Sequence, residues 1–298
     1  TLFNAIHSAE SVVYNADKVV KLNDFYQAEA SGQTKLTILI AEDNNVNQRV
    51  LAGLLGQLGH KLIIANTGEE AMNMISTRFD DIDLMVLDMN MPGYSGIEII
   101  KAAQFIDTSR KIPSMILTAD ATPETRQNCI DAGADVFLTK PIDSKMLLSE
   151  VAKIEKDSSD SASTNLQQSV SQAETNEDPV LDRQLIHELE QLGGGEDFIK
   201  SLVSGFEYDG RKHVDIINNA VFDDYYQFRE SLHALKGSST EIGAIKLAEL
   251  ARQAEQLKPE HVNSPEIKQV ARDIKQAFDE ALTALKQTLS DHHYETKH

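Results

Sequence analysis

The feature that most constrains this chain is a series of short apolar runs, each ending in polar residues and each followed by a helical pattern. LTILIA (36–41) runs into Glu42 and Asp43, after which Val46, Val50, Leu51, Leu54 and Leu58 recur at helical spacing until Gly59 stops them. KLIIA (61–65) and LMVLD (84–88) read as further strands, with a helix over 69–76 opened by Thr67 between them. The turn Met91-Pro92-Gly93 leads to a helix from about Gly96. SMILT (114–118), a helix over 124–132, VFLT (136–139) and a helix over 144–154 complete the series. Runs so short and so uniformly apolar are strands buried on both faces. The repeats therefore predict a five-stranded parallel α/β sheet covered by helices on each side.

This pattern ends at a stretch rich in Ser, Gln, Asn and acid, over 156–180. Such a composition buries too little apolar surface to offset its ordering entropy, so a flexible tether is expected. The chain thus divides into an α/β domain over 36–155 and a second domain over 181–290, with a tail over 291–298. The second domain has no strand signal. Its helical patterns are broken at Gly193–Gly195, Pro259 and Pro265, which predicts an all-α antiparallel bundle. The opening residues, 1–35, fit a helical connector from an upstream module or the last helix of a preceding domain. The first residue is Thr1, and the chain reads as a piece of something longer.

Composition excludes some functions. A net charge of -19 disfavours nucleic-acid binding, which needs clustered Lys and Arg. The single cysteine, Cys129, excludes an internal disulfide. No apolar run reaches the roughly 18–20 residues of a membrane helix, so no membrane contact by this segment is expected.

In an open parallel sheet, functional groups collect at the carboxyl ends of the strands. Here those ends carry Glu42 and Asp43, Asp88, Thr118 and Lys140. Carboxylates converging on one edge would repel one another. A divalent metal together with Lys140 resolves the conflict, and Mg²⁺ accepts a few carboxylates while keeping several waters.

The motifs AEDN (41–44), LDMNMPGYSG (87–96), LTADA (117–121) and FLTKP (137–141) together resemble the receiver family of two-component signalling. The resemblance covers about 36–155 and implies a flavodoxin-like fold. It implies Asp88 as phosphoacceptor, Asp43 as a direct Mg²⁺ ligand, Glu42 as its partner acting through water, and the Asn90 carbonyl as a further ligand. Lys140, before a cis Pro141, would bind a phosphoryl oxygen. Thr118 would hydrogen-bond the phosphoryl group, and Phe137 would be the aromatic switch residue, at a site that is more often Tyr. Val46, in the helix after Asp43, and Pro141 are expected at the docking surface.

The second domain contains FRESLHALKGSSTEIGA, read as part of a helix over 222–245. Phe228, Leu232, Leu235, Ser239 and Ile242 form its inward stripe. Arg229, His233, Lys236, Gly237 and Thr240 fall on the other face. His233 should therefore project into solvent, Lys236 should reach a phosphoryl group on its imidazole, and Gly237 should leave room for a partner. HALKG resembles the core motif of histidine phosphotransfer domains, over about 181–290, and implies His233 as a second phosphoacceptor.

The order of the two modules resembles the C-terminal part of hybrid sensor histidine kinases. ADATPET, the AGA after Cys129, and FLTKPI are most similar to the sensor kinases for diffusible fatty-acid quorum signals. The resemblance implies a bacterial phosphorelay from an upstream kinase domain of the same parent to Asp88, then His233, then a separate response regulator. The segment would be cytoplasmic and its parent anchored in the inner membrane. No ATP lid, P-loop or kinase catalytic loop is present, so the chain should not make phosphohistidine from ATP by itself. Two alternatives stand beside this reading. One is a non-catalytic docking module. The other is an aspartate-nucleophile phosphatase, which would want an acid where Asn90 stands.

Overall fold

A computed structural model describes residues 35–106, 110–120, 122–157, 180–193, 195–220, 224–258 and 264–295. All of them fall in one compact unit. The connector expected over 1–35 and the tether expected over 156–180 lie almost wholly outside the described residues.

The apolar runs form strands β1 (Thr37–Ala41), β2 (Lys61–Ala65), β3 (Leu84–Asp88), β4 (Ser114–Thr118) and β5 (Val136–Thr139). They pair in parallel in the order β2-β1-β3-β4-β5. Helices α1 (Asn45–Gln57), α2 (Gly68–Arg78), α3 (Gly96–Ile106), α4 (Pro123–Asp131) and α5 (Ser144–Asp157) alternate with them. A short 3-10 turn, Phe79–Asp81, which the sequence pattern did not signal, follows α2. α5 runs on to Asp157, past the point where the tether was expected to begin.

Side chains alternate across each strand, and both sets are buried in β3 and β4 and nearly so in β1, while the edge strands β2 and β5 are partly open. Leu39, Ala41, Met85, Leu87 and Ile116 pack with Ala71 and Ile75 of α2, Ile99, Ile100 and Ala103 of α3, and Cys129 of α4. The intervening Ile38, Ile40, Leu84 and Val86 are fully buried too. α1 lies on β1 and β2 and packs against α5. α1 starts where Asn44 caps it, its Oδ1 accepting from the backbone N–H of Val46 (2.9 Å) and Asn47 (3.2 Å). It stops at Gly59, whose φ of +82° is the left-handed conformation that ends helices.

The second domain is helical: α6 (Arg183–Gly193), α7 (Glu196–Ala220), α8 (Tyr225–Glu241), α9 (Ile245–Ala254) and α10 (Pro265–Glu295). α7 packs on α8 and α10, and α9 packs on α8 and α10, which closes a ring of four helices. Phe206, Phe228 and Phe278 are fully buried in it, with the Phe206 and Phe278 rings 5.4 Å apart. α8 is shorter at both ends than the 222–245 read from sequence. The Asp224 side chain caps it by accepting from the N–H of Tyr226 and Gln227, and Gly243, at φ +76°, ends it. α10 continues to Glu295, so the expected tail from 291 is partly helix.

Candidate functional site

The chain crosses over between β1 and β3, which are neighbours in the sheet, and the acidic residues sit at their carboxyl ends. Glu42 and Asp43 follow β1, and Asp88 ends β3. Each offers a carboxylate oxygen, and these oxygens lie within 4.8 Å of one another. The Lys140 ammonium follows β5 and bridges the cluster, 2.6 Å from Glu42 Oε2 and 3.0 Å from Asp88 Oδ2. Glu42 Oε1 accepts from Asn47 Nδ2 (2.9 Å) and from the Asn44 N–H (3.3 Å). Asp88 Oδ1 accepts from the Asn90 N–H at 3.3 Å.

The charges are strained. Burial, with Asp88 and Asp43 nearby, pushes Glu42 up to about 8 against the pull of Lys140. Desolvation in the cleft and the charge of Asp88 raise Asp43 to about 6, although its side chain keeps contact with solvent. For Lys140, burial opposes the charge, but Glu42 and Asp88 outweigh it and its pKa rises. An all-oxygen cluster with surplus negative charge fits a hard divalent cation. Both Glu42 oxygens are already engaged by Lys140, Asn47 and the Asn44 N–H. Asp88 is engaged in the same way, by Lys140 and the Asn90 N–H, so the exposed Asp43 is the carboxylate best placed for direct coordination.

The remaining receiver positions make other contacts. Thr118, fully buried, accepts from the Asp120 N–H at 3.1 Å, so its hydroxyl is engaged by the turn that follows β4. Phe137 is half-buried against the core that contains Leu87 and Ile116. The Lys140-Pro141 bond is cis, and Pro141 is exposed. Val46 is completely buried, so the side chains that α1 presents outward are those of its neighbours.

On α8, Phe228, Leu232, Leu235, Ser239 and Ile242 are buried and His233 is exposed, its side chain 50% accessible. Its Nδ1 lies 3.0 Å from Glu255 Oε1, at the end of α9. A carboxylate only accepts, so the proton belongs on Nδ1 and Nε2 keeps its lone pair. Lys236 bonds the other oxygen of the same carboxylate at 2.5 Å. Burial works against the Glu255 charge, but the hydrogen bonds from His233 and Lys236 win, and its pKa is lowered.

The two centres face one another. α1 packs on α6, α7 and α8 as well as on its own sheet. A cleft of about 280 Å³ is lined by Glu42, Asp43, Asp88, Asn90 and Lys140 from one domain and by His233, Lys236 and Gly237 from the other. Thr118, Phe137, Val46 and Pro141 do not line it. Asn44, while capping α1, donates from Nδ2 to the carbonyl of Ala234 at 3.0 Å. A Cβ on Gly237 would stand 3.8 Å from the amide nitrogens of Asn44 and Asn47, in ordinary contact. Asn45 bonds Asp209 (3.0 Å), and Arg49 bonds both the carbonyl (2.8 Å) and hydroxyl (2.9 Å) of Ser201. Glu241, buried, accepts from the Ile142 N–H at 3.2 Å. Burial and Asp88 raise Glu241 to about 7, while Lys140 and the Ile142 N–H pull it down.

Several of these residues carried no signal in the sequence. Glu255 lies on another helix, out of any local motif with His233. Lys212 and His213 also line the cleft. His213 belongs to none of the sequence motifs, and its Nδ1 is buried without a hydrogen-bond partner. Glu241 and the Arg49–Ser201 contact depend on how the two domains meet, which no local pattern encodes.

Comparison with known proteins agrees with both halves. The response regulator receiver domain family matches residues 38–152, and the Hpt domain family matches residues 201–288. The chain is 33% identical over 227 residues to the sensory/regulatory protein RpfC of Xanthomonas campestris pv. campestris, covering 74% of this chain and 31% of that protein. It is 32% identical over 128 residues to the sensor histidine kinase RcsC of Escherichia coli, covering 43% of this chain and 12% of that one. Among solved structures, the Vibrio cholerae chemotaxis protein CheY4 aligns with 99% of its own chain and 41% of this one, at 25% identity and a TM-score of 0.38. The chain spans less than a third of the length of these curated relatives. Among the described residues, no helix is long and apolar enough to cross a membrane. The chain joins a receiver domain to an Hpt domain and belongs, as a receiver–Hpt segment, with the hybrid sensor kinases of phosphorelay signalling.

Proposed function

We propose that Asp88 accepts a phosphoryl group and passes it to His233 of the same chain. The observation that carries this reading is the shared cleft, in which Asp88 with Lys140 faces His233 with Lys236. The Asn44–Ala234 hydrogen bond holds the two domains together one residue from His233.

Phosphoryl transfer asks for positioning and charge neutralisation more than for covalent help. Asp88 is the nucleophile in the loading step. Lys140, already between Glu42 and Asp88, is placed to take a phosphoryl oxygen. Mg²⁺, held by Asp43, Asp88 and the Asn90 carbonyl with Glu42 behind them, would supply further charge neutralisation there. In the second step the His233 Nε2 lone pair forms the N–P bond as the Asp88 O–P bond breaks, and the carboxylate recovers its charge. The imidazole becomes cationic with its Nδ1 proton in place, and Glu255 offsets that charge. Thr118 and Phe137 would respond to the loaded state by turning the threonine hydroxyl toward the phosphoryl group.

Within the longer parent, the donor would be a kinase domain and the final acceptor a separate response regulator. The resemblance carried by ADATPET and FLTKPI, together with 33% identity over 227 residues to the sensory/regulatory protein RpfC, is the basis for placing the parent with the sensor kinases for diffusible signals, and an inner-membrane anchor is what that placement implies.

Acid and base lability of the labels tests the route. Aspartyl phosphate is lost in base, and phosphohistidine is lost in acid. With labelled acetyl phosphate and Mg²⁺, the wild type should carry both labels, His233→Gln only the base-labile one, and Asp88→Asn neither. Acid-labile label on Asp88→Asn would overturn the route and favour the docking-module alternative for the receiver.

A further inference from the structure

We propose that two glycines on facing helices, Gly53 on α1 and Gly205 on α7, select which receiver can exchange a phosphoryl group with His233. This rests on the relay reading above. Gly53 and Gly205 lie inside helices of 13 and 25 residues, where glycine is destabilising relative to alanine. Neither is among the glycines with positive φ. Backbone conformation therefore does not require them, and the reason is space.

A Cβ on Gly53 would stand 2.2 Å from Cε2 and 2.5 Å from Cζ of Phe198, so the Phe198 ring from the Hpt domain fills the notch that this glycine leaves. The reverse holds one step along. A Cβ on Gly205 would stand 3.2 Å from Cζ and Nε of Arg49, so the guanidinium from the receiver lies over the bare backbone of α7. There it donates to the carbonyl and hydroxyl of Ser201. Each domain contributes one large side chain and one glycine to receive the other's.

The contacts form a register. Asn45, Arg49 and Gly53 are spaced four apart and share one stripe of α1. Their partners are Asp209, then Ser201 with Gly205, then Phe198, so the order on α7 is reversed and the two helices run antiparallel. Arg49, Gly53, Phe198, Ser201 and Gly205 do not line the cleft. They set which surfaces meet without touching the phosphoryl site. The partner that fits is a receiver whose first helix carries a glycine at the place of Gly53 and a long cationic side chain one turn earlier. A receiver with a bulky residue at the glycine position meets the Phe198 ring and is refused. An outside receiver that takes the group from His233 must show the same pair.

The test uses the full chain, with acetyl phosphate and Mg²⁺ as donor, and reads aspartyl and histidyl label separately. Gly53→Leu should load Asp88 as the wild type does and label His233 at least tenfold more slowly. Phe198→Ala added to Gly53→Leu removes the clash and should restore most of the rate. Wild-type transfer in Gly53→Leu, or a double variant no faster than the single, overturns the selector. If Gly53→Leu also loses loading of Asp88, Gly205→Leu decides. It lies on the other domain and must slow transfer tenfold with loading intact, and unchanged transfer overturns the proposal. A wild type that loads Asp88 and never labels His233 sinks the relay reading, and the selector with it.

Discussion

Glu255 is the residue on which the chemistry of His233 most depends in this account. Its carboxylate holds His233 Nδ1 at 3.0 Å and Lys236 Nζ at 2.5 Å, and its side chain is only 18% accessible. A hydrogen bond to a charged group contributes about 1.5–3 kcal/mol. Because the imidazole is half exposed, solvent screening favours the lower figure, about 1.5 kcal/mol. That bond strengthens when Nε2 is phosphorylated and the ring becomes cationic, so its loss falls on the product and on the transition state leading to it. At about 1.4 kcal/mol per factor of ten, Glu255→Ala should slow Asp88-to-His233 transfer roughly tenfold. The equilibrium should shift toward aspartyl phosphate by a similar factor. Glu255→Gln keeps an acceptor for the Nδ1 proton and loses the charge, so it should fall between wild type and Glu255→Ala. The assay is a time course of acid-labile against base-labile label after a pulse of acetyl phosphate, with Tm measured in parallel. A Glu255→Ala chain that folds and transfers at the wild-type rate would refute the assignment of Nε2 as nucleophile with Glu255 as its counter-charge.

Two further outcomes follow from the acidic cluster and the domain contact. Without metal, folded Glu42 holds its proton up to about 8 and Asp43 up to about 6, while the unfolded chain releases them near 4.5 and 3.8. Stability should therefore fall as pH rises through that window. Mg²⁺ should raise Tm more at pH 8 than at pH 5, and Asp43→Asn should raise Tm without Mg²⁺ and reduce the gain on adding it. An equal Mg²⁺ gain in Asp43→Asn would remove the cluster as the metal site. Glu241→Ala leaves the Ile142 N–H without its acceptor at a buried contact, which costs about 1–3 kcal/mol. Hydrogen exchange at the Ile142 amide should be slow in the wild type and fast in Glu241→Ala, and slow exchange in both would contradict the contact.

The sequence carried the receiver half almost completely, because its signals are local. LMVLD, SMILT and VFLT are strands with the bounds read from them, since each apolar run is both the strand and its burial. The α8 stripe was equally legible from helical spacing, but its ends were not. Asp224 and Gly243 set them through cap and turn geometry that periodicity does not weigh. The site was legible where residues sit at strand ends, as with Glu42, Asp43, Asp88 and Lys140. It was illegible where partners come from distant helices. Glu255 reaches His233 across 22 residues, and Lys236, expected to wait for a phosphoryl group, is paired to the same carboxylate. Val46 was expected at the docking surface, yet it is fully buried, and the contacts to the Hpt domain run through Asn44, Asn45 and Arg49. Docking joins two surfaces far apart in the chain, so only the folded geometry displays it.

The proposed movement of the phosphoryl group from Asp88 to His233 takes place within one chain and is therefore first-order. Its most direct test is the first-order rate of His233 labelling from preloaded Asp88, measured over a hundredfold range of protein concentration. Intrachain transfer predicts one rate throughout, with Asp88→Asn and His233→Gln chains unable to complement each other when mixed at low concentration. A rate that rises in proportion to concentration, with full complementation in the mixture, would contradict it.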